Sequence, residues 1–218
     1  MDLDLVGRLL NLIVLVLSLT VHEFFHAWTA WRLGDDTAAR MGRMTLNPIP
    51  HIDLVGTILL PLLQLPIGWA KPVPVNPANF RRGVRMATGD TLVSVAGPLS
   101  NLGLALTAGI VLGVLLRLAP AAVAPGSAGL VLLVRFVEIN VGLAVFNLLP
   151  LPPLDGSHVL GNLLPSQWRG AWIQFQRIGP ILLLVVLFLG RGLVTRIIVP
   201  PIESIVDFVY GIARSLAG

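Results

Sequence analysis

The sequence predicts an all-α polytopic membrane protein with about four transmembrane helices, a re-entrant or β excursion between the first two, and an amphipathic helix at the C-terminal end. Three observations carry this prediction. Hydrophobic residues make up 55% of the 218 residues, and the mean hydropathy is +0.85. Charged residues are only 12%, against roughly 25% in soluble domains, too few to cover a soluble globule without broad apolar patches. The apolar residues also fall into runs close to the ~20 that a helix needs to cross a hydrocarbon core. The same composition excludes a disordered chain. With no cysteine present, disulfides, thiolate metal sites and cysteine nucleophiles are excluded as well.

The first run extends from about Leu5 to Trp31. It opens with Asp2 and Asp4 and carries ionisable residues inside it, so it reads as a retained span, not a cleavable leader. Between Leu54 and Pro66 the chain is apolar but short, and is interrupted by Gly56, Thr57, Pro61 and Gln64. That length fits a re-entrant or interfacial excursion, which must pack on protein or line a polar site. The second span is expected from about Leu92 to Leu118 and the third from about Leu130 to Leu149. The fourth is expected from about Ile178 to Val199, with Arg191 and Arg196 near its end. From Pro200 to Leu216, residues Ile202, Ile205, Val206, Val209, Ile212 and Leu216 recur at helical spacing opposite Glu203, Asp207 and Arg214. This predicts an interfacial amphipathic helix, with a fifth, short span as the alternative.

Charge sets the orientation. Arg40, Arg43, Lys71, Arg81, Arg82 and Arg85 lie within 34–88, Arg169 and Arg177 follow the third span, and 119–128 carries no basic residue. The positive-inside rule then places 34–88 and 161–177 in the cytoplasm, with 119–128 and the N-terminus outside. Basic residues clustered between apolar runs set topology, so nucleic acid is not an expected partner. Trp28, Trp31, Trp69, Trp168 and Trp172 flank spans or loops, as in an interfacial aromatic belt.

Chemistry concentrates at two places. His22-Glu23-Phe24-Phe25-His26 has the form H-E-x-x-H. Positions four apart share a helix face, so both imidazoles can reach one metal ion, and the glutamate between them can act as general base on a water there. Each ionisable side chain costs roughly 3 kcal/mol at the bilayer centre, and a metal offsets that cost for all three. Two histidines leave zinc one protein ligand short of the usual three. His51, Asp53, Glu138, Asp155 and His158 are the candidates. Asp155 has the most telling context, Asn147-Leu-Leu-Pro-Leu-Pro-Pro-Leu-Asp155-Gly156. Its prolines end the third span in extended backbone while the chain is still apolar, which demands a protein-lined cavity. Asn140 and Asn147 lie on the third span, where either can supply an oxyanion donor or an interhelical hydrogen bond; Asn147 is the preferred donor. His51 and Asp53 either support the site or stabilise a local loop. Arg135 and Glu138 are spaced to pair with each other.

These motifs, together with Leu46-Asn47-Pro48-Ile49-Pro50-His51-Ile52-Asp53, Gly68-Trp69-Ala70-Lys71-Pro72-Val73-Pro74-Val75-Asn76-Pro77 and Ala96-Gly97-Pro98-Leu99-Ser100-Asn101, resemble the site-2 protease family. These are intramembrane zinc metalloproteases, and the likeness is to the compact branch without a PDZ domain. The resemblance implies one Zn2+ per chain held by His22, His26 and Asp155, with Glu23 as the catalytic acid–base. It also implies a single membrane-embedded metalloprotease domain over 1–218, with a catalytic core of about 5–160 and C-terminal helices of about 172–216. Expected substrates are membrane-anchored proteins cut in or near a transmembrane segment, at a site toward the cytoplasmic side of a bacterial or archaeal cell membrane. A substrate helix must unwind to be cut, and the stretches Thr57–Pro66 and Gly68–Asn76 are candidate edges for pairing with it. Two other readings use the same residues. A divalent-cation transporter or metal-binding membrane protein could hold a metal with this set but needs no glutamate beside the histidine pair. A membrane metalloprotease with a glutamate as third ligand would have only Glu138 and Glu203 to draw on, and neither lies in a suitable motif.

Overall fold

The structure, a computed structural model, describes residues 3–63 and 68–218. Its helices are α1 (Leu3–Leu33), α2 (Thr37–Arg40), α3 (Leu60–Leu62), α4 (Met86–Leu118), α5 (Ala128–Asn147), α6 (Asp155–Leu163), α7 (Arg169–Leu189), α8 (Arg191–Ile197) and α9 (Val199–Ala217). Four stretches are long and apolar enough to cross a membrane: Gly7–Leu33, Met86–Leu118, Ala128–Asn147 and Ser166–Leu189. Helix α4, at 33 residues, is about 50 Å long, well beyond a hydrocarbon core of about 30 Å. It starts six residues before the expected span because Thr88, Gly89, Asp90 and Thr91 continue the helix in polar form. The fourth span lies upstream of the expected 178–199. Trp172, Ile173 and Phe175 extend it toward the N-terminus, Gly190 ends it, and Arg191 opens the separate α8.

Helices α1, α4 and α5 form the bundle, and α9 packs on α4 and α5. Ala105, Ala108, Val137, Val141 and Val209 make the central apolar cluster, continued by Leu112, Val123 and Ala213. The C-terminal helix is amphipathic as expected, and its apolar face covers protein. Val209 sits against Gly109 and Ala213 against Gly113, so α9 runs parallel to α4 along its C-terminal half. Arg135 and Glu138 pair on α5 at 2.9 Å.

The excursion between the first two spans is helical. A π-helical stretch, Leu54–Leu59, runs into α3, and no strand occurs among the described residues. Its expected continuation through 64–66 lies outside the described residues. Residues 68–76 then follow as an extended strap. Pro72, Pro74 and Pro77 lack N–H groups and so cannot build a regular ladder.

Gly34, at φ 114°, ends α1 in a conformation that disfavours any residue with a Cβ. Arg81 donates its N–H to the carbonyl of Leu33 at 2.8 Å. The far end of the strap region is thereby tied to the end of the helix that carries His22, Glu23 and His26.

Candidate metal centre

Helix α1 places His22 and His26 one turn apart on a single face, with their rings edge to face and 4.5 Å between centroids. Asp155 enters from the opposite side as the first residue of α6. The turn leading to it is tight: Leu151 N–H bonds to Leu149 O, Leu154 N–H to Leu151 O and Ser157 N–H to Leu154 O, at 2.8–3.0 Å. The prolines in this turn exclude a helix there, and α6 restarts only at the aspartate. The result brings three ligand atoms to one point. The two Nε2 atoms are 3.0 Å apart, His22 Nε2 lies 3.1 Å from Asp155 Oδ2, and His26 Nε2 lies 3.4 Å from Asp155 Oδ1.

The second span contributes no ligand yet touches both histidines. His26 Nδ1 lies 2.7 Å from the carbonyl of Val93, and His22 Nδ1 lies 2.7 Å from Asn101 Oδ1. A carbonyl can only accept, so His26 carries its proton on Nδ1. The same follows for His22 by a longer chain. Asn140 donates to the Phe136 carbonyl and to Ser18 Oγ, each at 2.9 Å, which turns its oxygen toward Asn101. Asn101 therefore donates its amide to that oxygen at 2.8 Å and to the Ser18 carbonyl at 3.3 Å. Its own oxygen is left to accept from His22. With the proton of each neutral imidazole on Nδ1, the two Nε2 atoms present lone pairs to each other and to a carboxylate. Asp155 Oδ2 is buried and has no hydrogen-bond partner.

Three acceptors and no donor at one point is an arrangement that a cation satisfies and a proton-free protein does not. Ligands about 2.0–2.2 Å from a tetrahedral zinc stand roughly 3.3–3.5 Å from each other, close to the separations seen. Gly97 supplies the remaining space. A Cβ there would strike His26 Nε2, and would lie 2.6 Å from His26 Cε1 and 2.7 Å from His22 Cε1. Any larger residue would push both imidazoles out of place, so the spacing of the ligand atoms and the lack of a side chain at Gly97 together fit zinc. His22, His26 and Asp155 form the one group of three or more metal-capable side chains among the described residues.

Glu23 is buried at 8% exposure, beside the histidine pair. Its Oε2 accepts the backbone N–H of Val73 at 2.8 Å. The remaining candidates from the sequence make contacts outside the metal group. Asn147 donates its amide to the Leu143 carbonyl of its own helix at 3.0 Å. Asp53 caps the π-helical stretch, accepting from the N–H groups of Val55 and Gly56. His51 donates from Nε2 to the Thr45 carbonyl at 2.9 Å, and its backbone oxygen accepts from Lys71. Both residues thus build the platform on which the strap rests. His158 bonds to Asp90 at 3.2 Å, and Asn162 donates to the same carboxylate at 2.8 Å, fastening α6 to α4.

Sequence reasoning assigned no part to Asp90, to Gly97 or to Asn101, although the last two fell within a motif it quoted. A signal for Asn101 existed: an amide in a long apolar helix must find partners inside the protein, and this one is fully buried. The Val73 contact had none, because any non-proline residue presents the same backbone group.

No family model and no solved structure matches the chain. Curated bacterial proteins do. It is 43% identical over 181 residues to "Putative zinc metalloprotease YwhC" of Bacillus subtilis, covering 83% of this chain and 80% of that protein. It is 32% identical over 172 residues to "Putative zinc metalloprotease Rip2" of Mycolicibacterium smegmatis, covering 79% of this chain and 64% of that protein. For Rip2 of Mycobacterium tuberculosis H37Rv the figures are 33% over 178 residues, covering 82% and 66%. The chain therefore spans most of the Bacillus relative and just under two thirds of the mycobacterial ones. Zinc in the titles of these relatives agrees with a donor set that already calls for such an ion, and hydrolysis agrees with a glutamate held beside it. On this likeness the chain belongs to the site-2 protease family and is a zinc metalloprotease of the membrane.

Proposed function

We propose that the chain is an intramembrane metalloendopeptidase, hydrolysing peptide bonds in or near the transmembrane segments of membrane-anchored proteins, as in regulated intramembrane proteolysis. The observation that carries this reading is the burial of the site within the bundle. His22, Glu23 and His26 are 4%, 8% and 7% exposed, on a helix long and apolar enough to cross a bilayer. A protease acting on soluble chains has no need to carry this chemistry inside a membrane-spanning helix.

In this reading His22, His26 and Asp155 hold the zinc, and 1–218 acts as one domain. Bound zinc would polarise the scissile carbonyl and make a neighbouring water acidic. Glu23 takes the proton from the attacking water and passes it to the leaving amine nitrogen. Asn101 and the Val93 carbonyl keep both imidazoles in the tautomer that leaves Nε2 free. Asn147 has spent one amide hydrogen on Leu143, and its second is available to the developing oxyanion.

An unwound substrate needs partners for its backbone, and the strap offers them. The Val73 carbonyl and both backbone groups of Val75 have no partner among the described residues. This is an open edge one step from Glu23, onto which an extended segment can add. The basic residues of 34–88 and 161–177 support a cytoplasmic orientation for this end in the cell membrane.

The test is cleavage of a labelled single-span model peptide by detergent-purified protein, with zinc measured by elemental analysis. About one zinc per chain is expected in wild type and in Glu23→Gln, and markedly less in Asp155→Ala. Glu23→Gln should lower turnover by about 10²–10⁴-fold, the range for a lost general base. Near-wild-type turnover by Glu23→Gln would overturn the mechanism. Cleavage confined to soluble peptides would overturn the substrate class.

A further inference from the structure

Glu23 is held by the strap through one backbone amide, and the chain spends several side chains on keeping that amide in place. Arg43, only 8% exposed, donates Nη2 to the carbonyls of Lys71 at 2.6 Å and Pro72 at 3.2 Å. Lys71 donates its N–H to the His51 carbonyl at 2.8 Å. Upstream, Trp69 donates to the Gly56 carbonyl and accepts from the Thr57 hydroxyl, at 3.2 and 2.7 Å. Downstream, Asn76 donates its N–H to Asp35 Oδ2 at 2.7 Å. The strap is thus fastened on both sides of Val73, and the prolines at 72 and 74 stiffen the two positions that flank it.

Resting on the reading of Glu23 as the base, we infer that the Val73 N–H is a positioning group for that base, clamped by Arg43, so that the strap's place is a condition of catalysis as well as a seat for substrate. A glutamate has three rotatable bonds, and a base left free to sample them spends little time aimed at the water it must deprotonate. The backbone donor takes Oε2 and leaves Oε1 to the reaction. Because this donor and the open groups of Val73 and Val75 belong to one short segment, a substrate that pairs with the strap presses on the same element that aims the base. Chain seating and base alignment therefore become one event.

The experiment has two arms on the full-length, zinc-loaded protein in detergent. In the first, kcat and KM are measured for the labelled single-span peptide. Val73→Pro removes the donor from a strap already rich in proline and should cut kcat by about 10–100-fold, with zinc content retained. Val73→Ala keeps the N–H and should recover most of the loss, whereas Arg43→Ala should fall between them.

The second arm needs no turnover. Prolines at 72 and 74 leave only the amides of Lys71, Val73 and Val75 to exchange between 71 and 75. In wild type, Lys71 and Val73 should be protected and Val75 fast. Glu23→Ala should speed Val73 at least tenfold while leaving Lys71 unchanged. A Val73→Pro protein with wild-type kcat, or a Val73 amide indifferent to Glu23→Ala, would overturn the inference. Glu23→Gln activity reports separately on the base itself, so a failed positioning role and a failed base assignment give different results.

Discussion

The two flanks of the site are built on opposite plans. On the metal flank every candidate ligand is gripped by side chains and carbonyls of rigid helices: Asn101, Asn140 and Ser18 behind His22, Val93 behind His26, and Asp90 behind the helix of Asp155. Asn101, Asn140 and Ser18 are fully buried, and their amide hydrogens and oxygens are paired among themselves and with nearby carbonyls. On the base flank Glu23 is met by the backbone of a strap held from outside by Arg43, His51 and Asp35. A buried network loses heavily from any unpaired member, so the metal flank can have only one arrangement. A strap whose own residues are partly exposed, and which is tied through its backbone by a few hydrogen bonds, can shift at a lower cost. Ion binding needs the first plan, and on the function proposed above the admission of a membrane-anchored chain needs the second.

The sharpest way to break this contrast is Gly97→Ala. One added methyl group on the metal flank should abolish zinc binding, lowering the stoichiometry from about one to near zero by elemental analysis, while the helical circular dichroism stays. A zinc-replete Gly97→Ala protein would mean that the flank yields after all.

A smaller effect is expected one step farther from the ion. Asn101→Leu removes the acceptor that fixes the His22 tautomer and should weaken zinc about 10–100-fold, as loss of an outer-shell partner does, measured by chelator competition. Asn101→Asp restores an acceptor for Nδ1 but cannot donate to Asn140, and should recover only part of the affinity.

The smallest effect tests the strap's outer tie. Burial raises the Asp35 carboxyl, but the Asn76 N–H, the Thr37 hydroxyl, the Asn79 amide and the Thr37 N–H together outweigh it and hold the pKa below its ordinary value of 3.8. A lowered carboxyl stabilises the fold fully above the unfolded-state value and loses that stabilisation as pH falls toward the folded-state one. The Tm difference between wild type and Asp35→Asn should therefore be complete above about pH 5 and close below about pH 4, as followed by thermal unfolding in detergent. A gap that widened in acid would reverse the assignment.

What could be read in the sequence follows the same division. His22, Glu23, His26 and Asp155 stood out because ionisable side chains in apolar runs are costly unless something offsets them, and the structure brings the three ligand candidates to one point. Four spans were legible from length and hydropathy, although the fourth was placed too far downstream because apolar content continues past Gly190 while the helix does not. The excursion was recognised as too short to cross, but its π-helical form was not legible. Apolar composition does not distinguish a π-helical stretch from a strand, and the Thr57 hydroxyl within it is held by the Trp69 carbonyl, twelve residues on. The Val73 contact belongs to the backbone, which every sequence shares. For the same reason Asn147 and Asn140 looked alike in sequence: both are amides on the third span, yet one turns back on its own helix and the other joins three helices.

The parallel course of α9 along the C-terminal half of α4 has a practical side. Helix α1 runs antiparallel to α4, since Ser18 meets Asn101 while His26 meets Val93. Its first residues therefore lie toward the same end of the bundle as Leu216, which neighbours Gly113. The start of α1 and the end of α9 thus lie on the face remote from the strap. An affinity handle or surface anchor attached at either end would leave the catalytic face turned toward the medium, so the molecule could be immobilised in one uniform orientation without blocking the approach of its substrate.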